Sequence, residues 1–325
     1  MIAFVTGGTG FVGSHLVEHL IASPNISEVR CLVRSSDRWL TGLDFVRVKG
    51  DLFDLQAITK ALDGVDIIYH NAAVLRAPNK KEFTRANVEA TENLIRIAQK
   101  KGIRNIVITS SLTAVGPSSG TPVPEDVPLR PLTMYGTSKK EMEHVVERIA
   151  GENDSIKMIR PSAVYGPREA DIYTFFKTFK MGICPIVGDG NNPKISMVYV
   201  TDLVKGMIQS ASIETPGVHI YNMGGEKDAY SWNQIRSITS TVMGMRPIPI
   251  KINPNWAKKI AGAIESGASL FGKYPVVNRE KVNELIEEWV CSSDKARNDF
   301  GYNPEVSLEE GISRTIRWYK KHNWL

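Results

Sequence analysis

The chain has 325 residues, 42% hydrophobic and 23% charged, an ordinary globular balance that gives no reason to expect a fibrous or disordered protein. Its formal net charge of +5 comes from 40 basic and 35 acidic residues mixed along the sequence without a basic block, so nucleic acid is not an expected partner, whereas a small anionic ligand is compatible. No uninterrupted apolar run of about 18 residues occurs, which argues against a membrane span and leaves peripheral contact open.

Ile2-Ala3-Phe4-Val5 reads as a first strand rather than a signal peptide. Cys31, Cys184 and Cys291 are far apart and form no C-x-x-C pair, so neither a disulfide framework nor a zinc site is expected and a reducing cytoplasm is the expected location. His15 and His19 stand four apart on the first predicted helix, but no third ligand accompanies them and no metal is expected.

In chain order, short apolar runs predict strands at 2–6, 28–33, 44–48, 66–70, 104–109 and 156–160. Between them, apolar residues at three- and four-residue intervals predict helices at 11–22, 54–62, 81–101 and 135–150. This alternation gives an α/β fold, a doubly wound parallel sheet of the Rossmann kind, with its ligand crevice beyond the carboxyl ends of the strands. After Arg160-Pro161 turn-forming combinations such as Gly166-Pro167 and Gly188-Asp189-Gly190 interrupt the pattern. The expected division is a dinucleotide domain over 1–162, rejoined by a strand near 219–222, and a smaller C-terminal substrate lobe over 163–218 and 223–325.

Thr6-Gly7-Gly8-Thr9-Gly10-Phe11-Val12-Gly13 lies between the first strand and first helix and satisfies G-x-x-G-x-x-G from Gly7. Glycines allow the tight turn and close backbone approach, and the helix start attracts a pyrophosphate, so Gly7, Gly10, Phe11, Val12 and Gly13 are candidate dinucleotide contacts. The second strand ends in Arg34, followed by Ser35, Ser36 and Arg38, where an acidic residue would serve a ribose without a 2′-phosphate. Guanidinium and hydroxyl donors suit a phosphate dianion, so NADP is favoured. NAD is the alternative, with Asp37 reaching the ribose. Asp51 and Leu52 after the third strand, and Asn71, Ala72 and Ala73 after the fourth, are expected to line the same crevice.

Tyr135 and Lys139 are four apart near the start of a helix and therefore share a face. A nearby ammonium stabilises a phenolate and lowers its pKa from about 10, which would let Tyr135 move a proton to or from a substrate oxygen. Ser111 ends the fifth strand and could orient that oxygen. Alone, Y-x-x-x-K is common and a helical tyrosine is more often packed than catalytic; the glycine loop and strand-end serine change that weighting.

Together with Gly50-Asp51-Leu52, Ser110-Ser111 and Arg160 through Arg168 (RPSAVYGPR), these motifs make the chain resemble an extended short-chain dehydrogenase/reductase of the NAD-dependent epimerase/dehydratase superfamily over essentially its full length. The resemblance implies that Ser111, Tyr135 and Lys139 form a catalytic triad, that Lys139 also binds the nicotinamide ribose, and that Pro161 to Val164 meet the nicotinamide end. It also implies a homodimer paired through the helices at 81–101 and 135–150. The C-terminal stretches 275–282, 294–297 and 301–304 resemble the 3-beta-hydroxysteroid dehydrogenase and dihydroflavonol reductase branches, and also occur in ill-defined sugar epimerases.

The sugar-nucleotide members of the superfamily carry an asparagine where this chain has Ser162-Ala163, and an arginine where it has Lys194-Ile195-Ser196. Lys194, Arg168 or Lys177 could supply the missing charge. Trp256, Ile260, Ile264, Leu270 and Phe271 give 256–272 an apolar side, suited to a lid over a lipophilic substrate, a membrane-facing patch or an ordinary packed helix. The expected function is an NAD(P)-dependent oxidoreductase acting on a secondary alcohol or ketone of a small-molecule substrate, with Tyr135 as acid and base. The alternatives are a nucleotide-sugar epimerase or dehydratase with tightly held cofactor and a non-catalytic dinucleotide sensor.

Overall fold

The computed structural model describes residues 1–252 and 279–325. Seven parallel strands make the main sheet: β1 (Ile2–Thr6), β2 (Glu28–Val33), β3 (Val46–Lys49), β4 (Ile67–His70), β5 (Asn105–Thr109), β6 (Ser155–Pro161) and a late strand, Gly217–Met223. The late strand pairs with β6, and the spatial order runs from it through β6, β5, β4, β1 and β2 to β3. Strand order therefore reverses between β1 and β4, and the loops leaving those two strands open the crevice of a doubly wound sheet.

Parallel strands are covered on both faces, which is why they are rich in buried apolar residues. On one face Leu16, Val17 and Leu20 of α1 (Phe11–Ile21) join Leu203, Val204 and Met207. On the other, Ile58 of α2 (Leu55–Ala61) packs with Leu94, Ile95, Ala98, Met142 and Val146.

The helix expected at 81–101 is one continuous rod with a change of pitch: α3 (Lys80–Phe83) widens into a π-helical stretch at Thr84–Glu89 before α4 (Ala90–Lys100). Such widening often marks functional positions, and here it brings Asn87 into the interior. Helix α5 (Met134–Ile149) follows, capped by Thr133, whose hydroxyl accepts from Gly136 N at 3.0 Å.

Beyond β6 come β7 (Ala163–Tyr165), α6 (Asp171–Lys180), β8 (Ile183–Val187), β9 (Lys194–Ile195), β10 (Met197–Tyr199) and α7 (Val200–Ser210). Then follow β11, the late strand Gly217–Met223, β12 (Tyr230–Ser231), α8 (Trp232–Met243), β13 (Ile248–Ile252), α9 (Arg279–Ile286), α10 (Asp294–Phe300) and α11 (Leu308–Lys321). Tyr165, Phe176, Tyr199, Ile312, Ile316 and Tyr319 form the aromatic-rich core of this smaller lobe.

Candidate active site

The turn after β1 is fixed by backbone contacts. Gly7 has φ +71°, and a Cβ there would stand 2.6 Å from Ala72 N; a Cβ on Gly13 would stand 2.1 Å from Gly7 O. The loop and the end of β4 can be this close only without side chains. A Cβ on Gly10 would stand 3.3 Å from Gly7 O, a tight but milder contact than those at Gly7 and Gly13. Gly10 caps α1 without any side-chain acceptor, leaving the helix start to a bound anion. This uncapped, side-chain-free cradle fits a dinucleotide pyrophosphate.

Beneath the loop runs a buried polar chain. Thr91 Oγ1 donates to Asn87 O at 2.8 Å, so His70 Nε2, 2.8 Å from Thr91 Oγ1, carries the ring proton and donates it there. His70 Nδ1 then accepts from Thr6 Oγ1 at 2.7 Å, and Thr6 Oγ1 accepts from Ala72 N at 3.3 Å. Burial, with the Lys139 charge adding to it, pushes the His70 pKa down to about 3, which keeps the ring neutral. Asn87 continues the chain: its amide bonds both the N–H and the C=O of Val74, at 2.8 and 3.0 Å, and donates to Ser138 Oγ at 3.0 Å. The glycine loop, the widened helix and α5 are thereby tied together.

Helix α5 approaches the end of β5 closely because Gly136 lies between Tyr135 and Lys139; a Cβ there would come within 2.4 Å of Thr113 O. Ser111 lies beside the Tyr135 phenol, and its hydroxyl acts to lower the phenol's pKa. Ser111 Oγ accepts from Thr113 N at 3.2 Å and from Thr113 Oγ1 at 2.8 Å, so its own proton is left to donate toward Tyr135. Lys139 is buried and donates to Thr109 O at 2.7 Å. Burial draws its pKa down to about 8, against the Glu143 charge, which raises it.

The expected lowering of the Tyr135 pKa by Lys139 is not seen. Burial raises the phenol, the Ser111 hydroxyl lowers it, and the Glu284 charge raises it further, so the phenol is protonated. Behind both residues Glu143 accepts from Ser110 Oγ at 2.5 Å and from Arg160 Nε and Nη2 at 2.9 and 2.7 Å, all of them buried.

A cleft of about 180 Å³ opens at Ser111, bounded by Pro161, Ser162, Lys194, Trp232, Glu287 and Trp289 among others. Its walls are set by backbone ties: Lys194 pairs with Ser231 across the antiparallel β9 and β12, and Trp289 N donates to Lys194 O at 3.0 Å. Leu112, Ile195 and Leu285 add apolar lining, and Glu284 adds a second carboxylate. Ser162 Oγ is buried and has no hydrogen-bond partner, an orphan donor at the cleft.

The other expected residues divide. Arg34 and Arg38 are exposed at the end of β2, and among the described residues neither pairs with a carboxylate; Asp37 instead meets Arg47 Nε at 3.3 Å. Asp51 accepts from Phe53 N at 2.8 Å, Leu52 packs on the core, and Asn71 accepts from Thr109 Oγ1 at 2.9 Å beside Ala72 and Ala73. Pro161 borders the cleft, and Val164 packs on the core.

Arg168 does not serve the cleft. It has φ +75° and donates to Ser14 Oγ and Glu18 Oε1 at 2.9 and 2.5 Å, locking α1 to the lobe. Lys177 is exposed on α6, and of the three suggested cations only Lys194 reaches the cleft. His15 is buried with Nε2 at 3.1 Å from Pro167 O, and no group able to hold a metal occurs among the described residues. The apolar segment 256–272 lies outside the described residues, as does 275–278 of the stretch 275–282.

Thr113, Asn87, Glu143, Glu284 and Glu287 were not anticipated. Asn87 carried a faint signal, a polar residue on the inward stripe of a helix; the others had none without tertiary contacts.

The family model described as the NAD dependent epimerase/dehydratase family matches residues 3–224. A ceramide reductase of Caulobacter vibrioides is 27% identical, with 100% of this chain and 96% of that protein aligned. An N-acetyl-alpha-D-glucosaminyl-diphospho-ditrans,octacis-undecaprenol 4-epimerase of Escherichia coli O157:H7 is also 27% identical, over 97% of this chain and 94% of its own. Among solved structures, a dTDP-glucose 4,6-dehydratase of Streptomyces venezuelae with NAD bound superposes with a TM-score of 0.79 at 24% identity, covering 99% of this chain and 98% of that one.

Proposed function

Because the chain belongs to the NAD-dependent epimerase/dehydratase family, and is thus an enzyme of the extended short-chain dehydrogenase/reductase type, we propose that it interconverts a secondary alcohol and a ketone in a net NAD(P)-dependent reduction or oxidation. The observation that carries this reading is the placing of Ser111 beside the Tyr135 phenol at a cleft that Ser111 itself lines.

Gly7, Gly10, Phe11, Val12 and Gly13 would hold the pyrophosphate, with Asn71 to Ala73 beside it and Lys139 at the ribose. When bound, the nicotinamide supplies or accepts the hydride. In reduction, the protonated Tyr135 phenol gives its proton to the carbonyl oxygen, and Ser111, with both lone pairs engaged by Thr113, would turn its one proton from Tyr135 to that oxygen. In oxidation, Tyr135 must first lose its proton, a step that burial and the Glu284 charge oppose and the Ser111 hydroxyl eases.

The cleft lining supports a substrate with an apolar part. Among the described residues Leu112, Ile195, Trp232, Leu285 and Trp289 line it together with Lys194, Glu284 and Glu287. The ceramide reductase relative is consistent with a net reductase on an apolar carbonyl compound.

A second reading, nucleotide-sugar epimerisation or dehydration with retained NAD, draws its support from the epimerase and dehydratase relatives, whose names favour it over a net reductase. Lys194 also borders a second, polar opening with Asn191, Asn233, Gln234 and Ser237, room for a sugar nucleotide. A panel of ketones, long-chain and sterol-like alcohols and sugar nucleotides, followed by reduced-nicotinamide absorbance and by analysis of the purified protein for bound cofactor, separates the two. Net absorbance change with a ketone supports the first; sugar turnover at constant absorbance with retained NAD replaces it.

The finer cofactor choice is NADP, supported by the exposed, carboxylate-free Arg34 and Arg38 and by the engagement of Asp37 with Arg47. The dehydratase structure holds NAD. Equal affinity for NADH and NADPH, unchanged in their ratio by Arg34→Ala, would overturn this choice.

A further inference from the structure

The two-stranded parallel sheet of β8 and β13 has one inward face. Cys184 and Ile186 pack with Phe179 into a small core that also takes Phe175, Trp232, Met243 and Met245. The alternate positions point outward, and the register sets Ile183 beside Ile248 and Pro185 beside Ile250. Ile248 is 70% exposed, Ile250 46% and Ile183 38%, and Met181, just before β8, is 70% exposed. These form most of the exposed large hydrophobic residues of the described lobe, gathered on one face.

The charge around them is mainly positive. Residues 172–188 and 229–252 contain no aspartate or glutamate, while Lys177, Lys180, Arg246 and Lys251 are exposed there. None of these four pairs with a carboxylate among the described residues. Of the acids flanking these stretches, Asp171 meets Arg76, and Asp189 accepts from the backbone N–H groups of Asn191 and Asn192 at 2.7 Å and lies near Lys251.

An apolar centre with a cationic rim is complementary to anionic lipid headgroups over an acyl layer. It is a poor template for strand addition by a protein, because Pro185 and Pro249 interrupt the row of backbone donors on each strand. We propose that this face docks on the surface of an anionic phospholipid bilayer, with the isoleucine rows and Met181 at the acyl boundary and Lys177, Lys180, Arg246 and Lys251 among the phosphates. No helix among the described residues is long and apolar enough to cross a membrane, so the contact is peripheral. Trp232 belongs both to the core behind this face and to the lining of the cleft, so docking holds the cleft close to the lipid surface. The inference does not depend on which substrate the cleft takes.

The test is co-sedimentation of the full chain with vesicles of phosphatidylcholine alone and of phosphatidylcholine with phosphatidylglycerol. Binding is expected only to the anionic vesicles and should weaken with added salt. Lys180→Glu or Lys251→Glu should weaken it roughly fivefold or more each, and the pair Ile248→Asp with Ile250→Asp at least about tenfold. Far-UV circular dichroism, melting temperature and dinucleotide affinity should be unchanged in every variant, since none of these side chains is buried or near the cradle. No binding to anionic vesicles, equal binding to neutral ones, or wild-type binding by the isoleucine variant overturns the proposal. So does loss of a dimer in sedimentation velocity by the isoleucine variant without any vesicle binding, which would make this face a contact between two copies.

Discussion

Between α5 and the sheet, Asn87, Ser138, Glu143 and Arg160 are buried and joined by hydrogen bonds of 2.7 to 3.0 Å to fixed neighbours. Across Ser111, the cleft is walled among the described residues by unlike groups: carboxylates, an ammonium, tryptophans and the buried hydroxyl of Ser162. The first region holds groups whose positions must not vary with substrate. The second leaves polar capacity to be completed by whatever enters. Reaction chemistry and substrate choice are therefore carried by different contacts, and changes on one side should leave the other largely intact.

The sharpest trial of that separation is Tyr135→Phe. Turnover is expected to fall about 10²–10⁴-fold in steady-state assays while dinucleotide affinity measured by fluorescence titration stays put; an equal loss of affinity would show the two functions are not separable. Next comes the buried pair. Glu143→Gln leaves Arg160 uncompensated and should cost about 3–5 kcal/mol in urea unfolding, whereas Glu143→Met with Arg160→Met should recover much of it. If the single variant is as stable as the parent, the inner region is not the rigid part.

A pH series sharpens the contrast further. His70 and His15 have folded pKa values pushed down to about 3 and about 4 from 6.5, mainly by burial. The unfolded chain therefore binds more protons below pH 6.5, so stability is full above that value and falls as the pH drops through the window down to about 4 and then 3. Each histidine contributes at most about 1.4 kcal/mol per pH unit. His70→Gln should flatten part of that slope in denaturant titrations. Smallest is Thr113→Val, which removes one hydrogen bond to Ser111 Oγ and should lower kcat/KM about fivefold.

The cofactor half was legible because its signals are local. Gly7 to Gly13 and Tyr135 to Lys139 are constrained by turn geometry and helical spacing, which sequence displays directly, and His219-Ile220-Tyr221-Asn222 was read as a returning strand. Arg168 shows where legibility ends. Its charge suggested a phosphate partner, but a left-handed backbone turns it to Ser14 and Glu18, more than a hundred residues earlier. The pairing of Glu143 with Arg160 and the approach of Glu284 to Tyr135 are likewise products of packing between distant segments, and no spacing rule announces them. The π-helical widening at 84–89 left no periodicity of its own, since it replaces a single turn inside an otherwise regular amphipathic helix.

The late arrival of β11 has a consequence for synthesis. All seven residues of β6 are buried, including Lys157, whose ammonium bonds Asn105 Oδ1 at 2.6 Å and Ile213 O at 2.8 Å. Until Gly217–Met223 leaves the ribosome, β6 is an open sheet edge. At ~5–20 residues per second, translation of residues 162–216 alone takes roughly 3–11 s. Through that interval Lys157 lacks its Ile213 acceptor, and a hydrated charge on the open edge discourages neighbouring nascent chains from pairing there.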